Sequence, residues 1–168
     1  CSQSRGLGDV YKRQVIVGQG TVGKEIFEEI GSSIDAVFVP VGGGGLLAGL
    51  GTYLKSVSPN TKIIGVEPED AACLKLALEN NKRLALKEVG LFADGVAVKQ
   101  IGKKTFSLIK DWIDEVVTVS VDEMCASVQD TFQETRIMSE PAGALALAGL
   151  KKYVQSRGIK NKKLVAIN

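Results

Sequence analysis

Residues 36–57 read AVFVPVGGGGLLAGLGTYLKSV: an apolar run from Ala36 to Val41, four consecutive glycines from Gly42 to Gly45, and a segment from Leu46 to Val57. The run is short, rich in valine and bounded by glycine, as a buried strand is. Beyond the glycines, apolar residues fall at 46, 47, 50, 53, 54 and 57, the spacing of an amphipathic helix. Glycine reaches positive φ without strain and lets backbone N–H groups approach a ligand closely. A helix start exposes N–H groups that have no partner inside the helix, so a glycine loop entering a helix forms a cup for phosphate. The plainer reading is a flexible linker, but linkers mix glycine with serine and are rarely held by apolar runs on both sides.

At 168 residues the chain is long enough for one domain with a real core, or for a large piece of a bigger one. Its 45% apolar and 24% charged residues exclude disorder. No apolar run is long enough to span a membrane and no secretory leader is visible, so a water-soluble, cytoplasmic or organellar protein with no membrane partner is expected. The three cysteines, Cys1, Cys73 and Cys125, lack metal-ligand spacing and there is no histidine. A zinc site and a disulfide framework are therefore not expected, and Ser-His-Asp and Cys-His catalysis are excluded. The net charge of +2 resides in residues 1–14. The rest is balanced, which gives no electrostatic case for nucleic acid. Residues 1–14 carry neither apolar periodicity nor a capping signal and are expected to be a non-native prefix.

From Val15 onward short apolar runs alternate with helical periodicity. Val15–Val17 reads as a strand, followed by a helix with Val22, Ile26, Phe27 and Ile30 on one face and an end near Gly31. Ala36–Val41 and Leu46–Val57 form the next strand and helix, and Lys62–Glu67 a third strand. A helix follows from about Asp70 to Asn80, with Asp70 as its N-cap. Leu91–Val98 is a glycine-containing loop or short strand, Lys103–Ile113 a helix and Glu115–Val121 a strand, after which Asp122 caps a helix bearing Met124, Val128 and Phe132. The last helix starts at Pro141, a favoured first-turn position, and Lys163–Ile167 begins another strand. Successive strand–helix units predict an α/β fold: a doubly wound, mostly parallel sheet with helices on both faces. The chain stops inside a strand, so truncation at both ends is expected.

Other motifs compete with the glycine cup. Gly18-Gln19-Gly20-Thr21-Val22-Gly23 fits the dinucleotide fingerprint, and Gly18 to Lys24 fits all but the last position of a P-loop. The P-loop lacks its magnesium hydroxyl, because Glu25 stands there. The dinucleotide reading lacks its ribose-binding acid, because the next strand ends in glycines. A tight turn built of small residues is the plainer reading, with a nucleotide-binding module or a non-catalytic structural module as the alternative functions. Glu67, Glu69 and Asp70 at a strand end could bind a cation, or be solvated turn acids and a helix cap. Glu140 before Pro141 reads as a helix-start carboxylate that Arg136 could pair with.

Taken together, Val15 to Thr21, Val39 to Leu46, Glu69 to Lys75, Val89 to Val98 and Glu140 to Ala148 resemble the biosynthetic threonine ammonia-lyases (threonine dehydratases), members of the fold-type II pyridoxal-phosphate enzymes with a tryptophan synthase beta-like fold. The likeness runs through residues 15–168 and implies that they are a partial catalytic domain. It implies that Gly42, Gly43, Gly44, Gly45 and Leu46 hold the phosphate of pyridoxal 5'-phosphate, and that the segments around Gly95 and Glu140 approach its ring. It also implies conversion of a small amino-acid substrate, threonine, to 2-oxobutanoate and ammonia in isoleucine biosynthesis, by a full-length homo-oligomer; serine dehydration and serine racemisation are the alternatives within the family. The family's Schiff-base lysine lies in an N-terminal Ser-Phe-Lys type segment, and no lysine here has that context. No catalytic residue is therefore assigned, and the chain alone is expected to be inactive. A racemase subgroup binds a metal after its Val-Glu-Pro segment; Glu67 and Ala71 match it, but Cys73 replaces an acidic ligand, so no divalent metal is expected.

Overall fold

A computed structural model describes the backbone of residues 7–168 and the side chains of residues 13–168. Its elements, in chain order, are α1 (Leu7–Ile30), β1 (Ala36–Pro40), α2 (Gly45–Val57), β2 (Lys62–Pro68), α3 (Cys73–Glu79), α4 (Lys103–Ile109), β3 (Glu115–Val119), α5 (Val121–Thr135), α6 (Pro141–Arg157) and β4 (Leu164–Ala166). All strands are parallel, in the order β3-β2-β1-β4, with Phe38 opposite Ile64 on one side and Ala166 on the other. Among the described residues, no helix is long and apolar enough to cross a membrane.

The central strand β1 is apolar on both faces because both are covered. Val37 and Val39 pack with Leu47, Leu50 and Leu54 of α2, while Ala36 and Phe38 pack with Leu145, Ala146 and Tyr153 of α6. The Phe38 and Tyr153 rings meet edge to face, with centroids 5.2 Å apart. The chain builds β1, β2 and β3 outward in one direction, then crosses back to lay β4 on the other side of β1. The carboxyl ends of β1 and β4 therefore flank the point where strand order reverses, the place where open α/β sheets bind ligands.

The sequence expectation fails at the start of the chain. Val15–Val17 is not a strand and Gly18–Gly23 is not a turn: both lie inside α1. Of the expected prefix, residues 1–6 lie outside the described residues, and residues 7–14 continue α1 helically. The glycines serve helix packing. A Cβ on Gly23 would sit 2.9 Å from the Leu50 carbonyl oxygen, and one on Gly49 of α2 would sit 2.2 Å from that of Ile16. Ile16, Gly20, Gly23, Phe27 and Ile30 thus form one stripe at helical spacing, with glycine where the two backbones come closest. With helix on either side of them, Gly18 to Lys24 provide neither a P-loop nor a dinucleotide turn.

Two other boundaries shift, and one expected ion pair does not form. Asp122 does not cap α5; Ser120 does, accepting the Glu123 N–H at 3.2 Å while the Glu123 carboxylate accepts the Ser120 N–H at 2.7 Å. The fourth helix ends at Ile109, and residues 91–98 hold only a short 3-10 turn at Asp94–Val96. Arg136 closes α5 at φ 62 and lies over the Phe132 ring, and it does not pair with Glu140.

The close contact of α1 with α2 separates the glycines by role. Gly18→Ala, with nothing within 4 Å of its Cβ, is expected to leave stability unchanged or raise it by up to about 1 kcal/mol. Gly49→Ala is expected to cost about 3 kcal/mol through overpacking. Thermal or chemical unfolding of the two variants checks this, and equal effects would contradict the packing assignment.

Candidate cofactor site

At the carboxyl ends of β1 and β4 lies a cleft of about 480 Å³. Gly42, Gly43, Gly44, Gly45, Leu46, Gly95 and Glu140, the residues singled out in the sequence, all line it, together with Gln19 and Asn168, which were not. Three segments distant in the chain thus meet in one place. Glu140 is the N-cap of α6 and Pro141 its first residue, so two helix starts, those of α2 and α6, open on this cleft. Each carries partial positive charge. Among the described lining residues there is no lysine or arginine. The one charged side chain is Glu140, whose carboxylate lies on the Gly95 side.

The glycine loop is fixed from behind. The Gly42 carbonyl accepts from the Cys73 thiol, with sulfur at 3.7 Å. The Gly43 carbonyl accepts from the Thr105 hydroxyl at 2.8 Å and from the Gly102 N–H at 3.3 Å. The Gly44 carbonyl accepts the Ala48 N–H at 2.9 Å, the first bond of α2. By contrast, the N–H groups of Gly42 to Leu46 donate to no protein acceptor among the described residues.

Glycine is required at 44, where φ is 82° and a Cβ would lie 2.7 Å from the Ile101 side chain. At Gly43 nothing lies within 4 Å of a Cβ, so the loop is open where it faces outward. Free amides, two helix starts and no acid inside the cup fit a phosphate ester. Thr105 and Gly102 carry no local signal in the sequence, because their roles come from α4 packing behind a loop about sixty residues earlier.

The acids of residues 67–70 are sorted by burial. Glu69 is 3.6 Å from the Lys152 ammonium, and Asp70 is not an N-cap: it sits in a 3-10 turn, and Ala72 precedes α3. The cap is supplied from β2. Glu67 is fully buried and its two oxygens accept the Leu74 and Lys75 N–H groups at 2.7 and 2.9 Å. Burial pushes its carboxyl from the ordinary 4.5 up to about 7, against the pull of those N–H groups. Burial and the neighbouring Glu67 push the Cys73 thiol up to about 12, so it stays protonated and able to donate.

The fold and cleft define an α/β protein with an amide-lined cleft at a topological switch point. The chain matches, over residues 6–168, the family described as pyridoxal-phosphate dependent enzyme, and it belongs to that family. It is 52% identical, over 98% of its length, to the biosynthetic L-threonine dehydratase of Burkholderia multivorans, and 56% identical, over 91%, to the chloroplastic biosynthetic threonine dehydratase 1 of Solanum lycopersicum. It spans 33% and 25% of those two proteins. The solved processed form of threonine deaminase isoform 2 from Solanum lycopersicum superposes with a TM-score of 0.89 at 47% identity, covering 90% of this chain and 44% of that one. Serine racemase from Dictyostelium discoideum gives 0.81 at 34% identity, covering 92% and 48%.

Glu67 generates a pH prediction. In the folded chain it stays neutral to about pH 7, whereas unfolded it ionises near 4.5, so the unfolded chain binds fewer protons between these values. Stability then falls as pH rises through that window, by about 3 kcal/mol in all. Glu67→Gln cannot ionise, and its stability relative to the parent is expected to rise by this amount between pH 4 and pH 8. Denaturant unfolding across that range checks it; parallel pH profiles would contradict it.

Proposed function

We propose that the protein carrying this chain deaminates L-threonine to 2-oxobutanoate and ammonia with pyridoxal 5'-phosphate, and that this chain provides the phosphate-holding half of the site. The observation that carries the reading is the convergence of the glycine loop, Gly95 and Glu140 on one cleft. About 50% identity to threonine dehydratases of a bacterium and a plant supports the choice of substrate.

When bound, pyridoxal phosphate supplies the electron sink for breaking the bond from Cα to hydrogen and expelling the β-hydroxyl. The chain's own residues do the holding. The Gly43, Gly44, Gly45 and Leu46 amides neutralise the phosphate without a cationic side chain, at the positive end of α2. Gly95, beside Ala142 with only 3.0 Å for a Cβ, forms a flat wall where a planar ring can lie. Glu140, on that wall's side, is the polar group for the ring region. The reactive lysine is assigned to a part of the protein outside these residues.

The full-length protein is expected to release 2-oxobutanoate from threonine when supplied with pyridoxal phosphate, and residues 1–168 alone to release none. A coupled lactate dehydrogenase assay reads both, and turnover by the isolated chain would place the lysine within it. Gly43→Ala discriminates further. Its methyl meets no protein atom within 4 Å, so stability is expected to hold while cofactor affinity falls about tenfold or more, as a methyl intrudes on the phosphate. Unchanged affinity would contradict the assignment of the cup.

A further inference from the structure

We propose that Thr105 is a positioning residue for the cup: by holding the Gly43 carbonyl, its hydroxyl turns the Gly44 N–H into the cleft. The inference rests on the cofactor reading above. In a planar trans peptide the C=O and the following N–H point in opposite directions. Whatever anchors the carbonyl of one residue therefore aims the N–H of the next.

Three successive peptides of the loop are anchored in this way. The Cys73 thiol holds the Gly42 carbonyl and aims the Gly43 N–H. Thr105, with the Gly102 N–H, holds the Gly43 carbonyl and aims the Gly44 N–H. The Ala48 N–H holds the Gly44 carbonyl and aims the Gly45 N–H out of the start of α2. The last anchor is intrinsic to the helix, and the first uses a weak sulfur donor. Among the described residues, Thr105 is the one side chain that anchors the loop at ordinary hydrogen-bond distance, 2.8 Å, and it is 6% exposed. Its hydroxyl hydrogen is shared with the Gly102 carbonyl at 3.0 Å, which ties the loop to the start of α4.

The middle peptide, like its two neighbours, has little to fix its plane without an anchor. It joins two glycines, so no Cβ resists rotation of its plane. Turned over, it would present the Gly43 carbonyl oxygen to the phosphate in place of the Gly44 N–H, exchanging an attraction for a repulsion. The side chains of Thr105 and Ile101 already fill the space behind Gly44, so the hydroxyl acts on a loop that cannot shift bodily.

The test compares pyridoxal 5'-phosphate with pyridoxal, which lacks the phosphate, in titrations of the cofactor-free full-length protein. Thr105→Val keeps the shape and removes the hydroxyl; Thr105→Ser keeps the hydroxyl. Thr105→Val is expected to weaken pyridoxal phosphate about 10-fold or more with pyridoxal unchanged, and Thr105→Ser to stay within about 3-fold of the parent for both. Thr105→Ala repeats the comparison should valine disturb folding. Equal weakening of both ligands, or of neither, in the hydroxyl-free variants would overturn the role of Thr105. A parent protein that binds the two ligands equally would instead overturn the phosphate reading itself.

Discussion

The amides at the start of α2 are the group on which the site depends. Backbone N–H groups without partners are costly to bury and tolerable where an anion or water can reach them. Here they open on a cleft, and the rest of the fold keeps them there. β1, covered on both faces, delivers the chain to Gly42 without freedom to drift. α1 packs on α2 through Gly20, Gly23 and Gly49, and a Cβ on Gly23 or Gly49 would collide with backbone. α4 holds the loop's carbonyls from behind through Gly102 and Thr105.

The lining of the cleft follows from this arrangement. A phosphate is commonly met by lysine or arginine, yet the described lining residues include neither. In the proposed reading, compensation falls to oriented amides and the starts of α2 and α6, groups that cannot swing away or exchange partners. Glu140 is the one charged side chain among the described lining residues, unopposed by a cation there. The buried Glu67 belongs to the scaffold: its carboxyl group caps α3, whose first residue, Cys73, touches the loop.

The stretch from Ala36 to Val57 was legible because its physics is local: a valine-rich strand, glycines and an amphipathic helix in direct succession. The cleft residues Gly95 and Glu140 came from family resemblance, and no pattern within the chain brings them to the loop. α1 was misread because glycines occupy its apolar stripe, so Val15–Val17 followed by Gly18 imitates a strand and turn. Asp70 and Asp122 were plausible caps by type, but Glu67 and Ser120 are the groups positioned to accept N–H bonds. The roles of Thr105 and of Glu67 depend on where separate elements come to rest, which spacing alone does not encode.

The central claim is that the backbone amides of Gly43 to Leu46 hold the phosphate. Selective 15N-glycine labelling of the protein, followed through addition of pyridoxal 5'-phosphate, reads those amides directly. The account predicts large downfield proton shifts at Gly43, Gly44 and Gly45, with Gly18, Gly20 and Gly23 unmoved. Shifts centred on Gly18 to Gly23, with the tetraglycine amides unchanged, would contradict it.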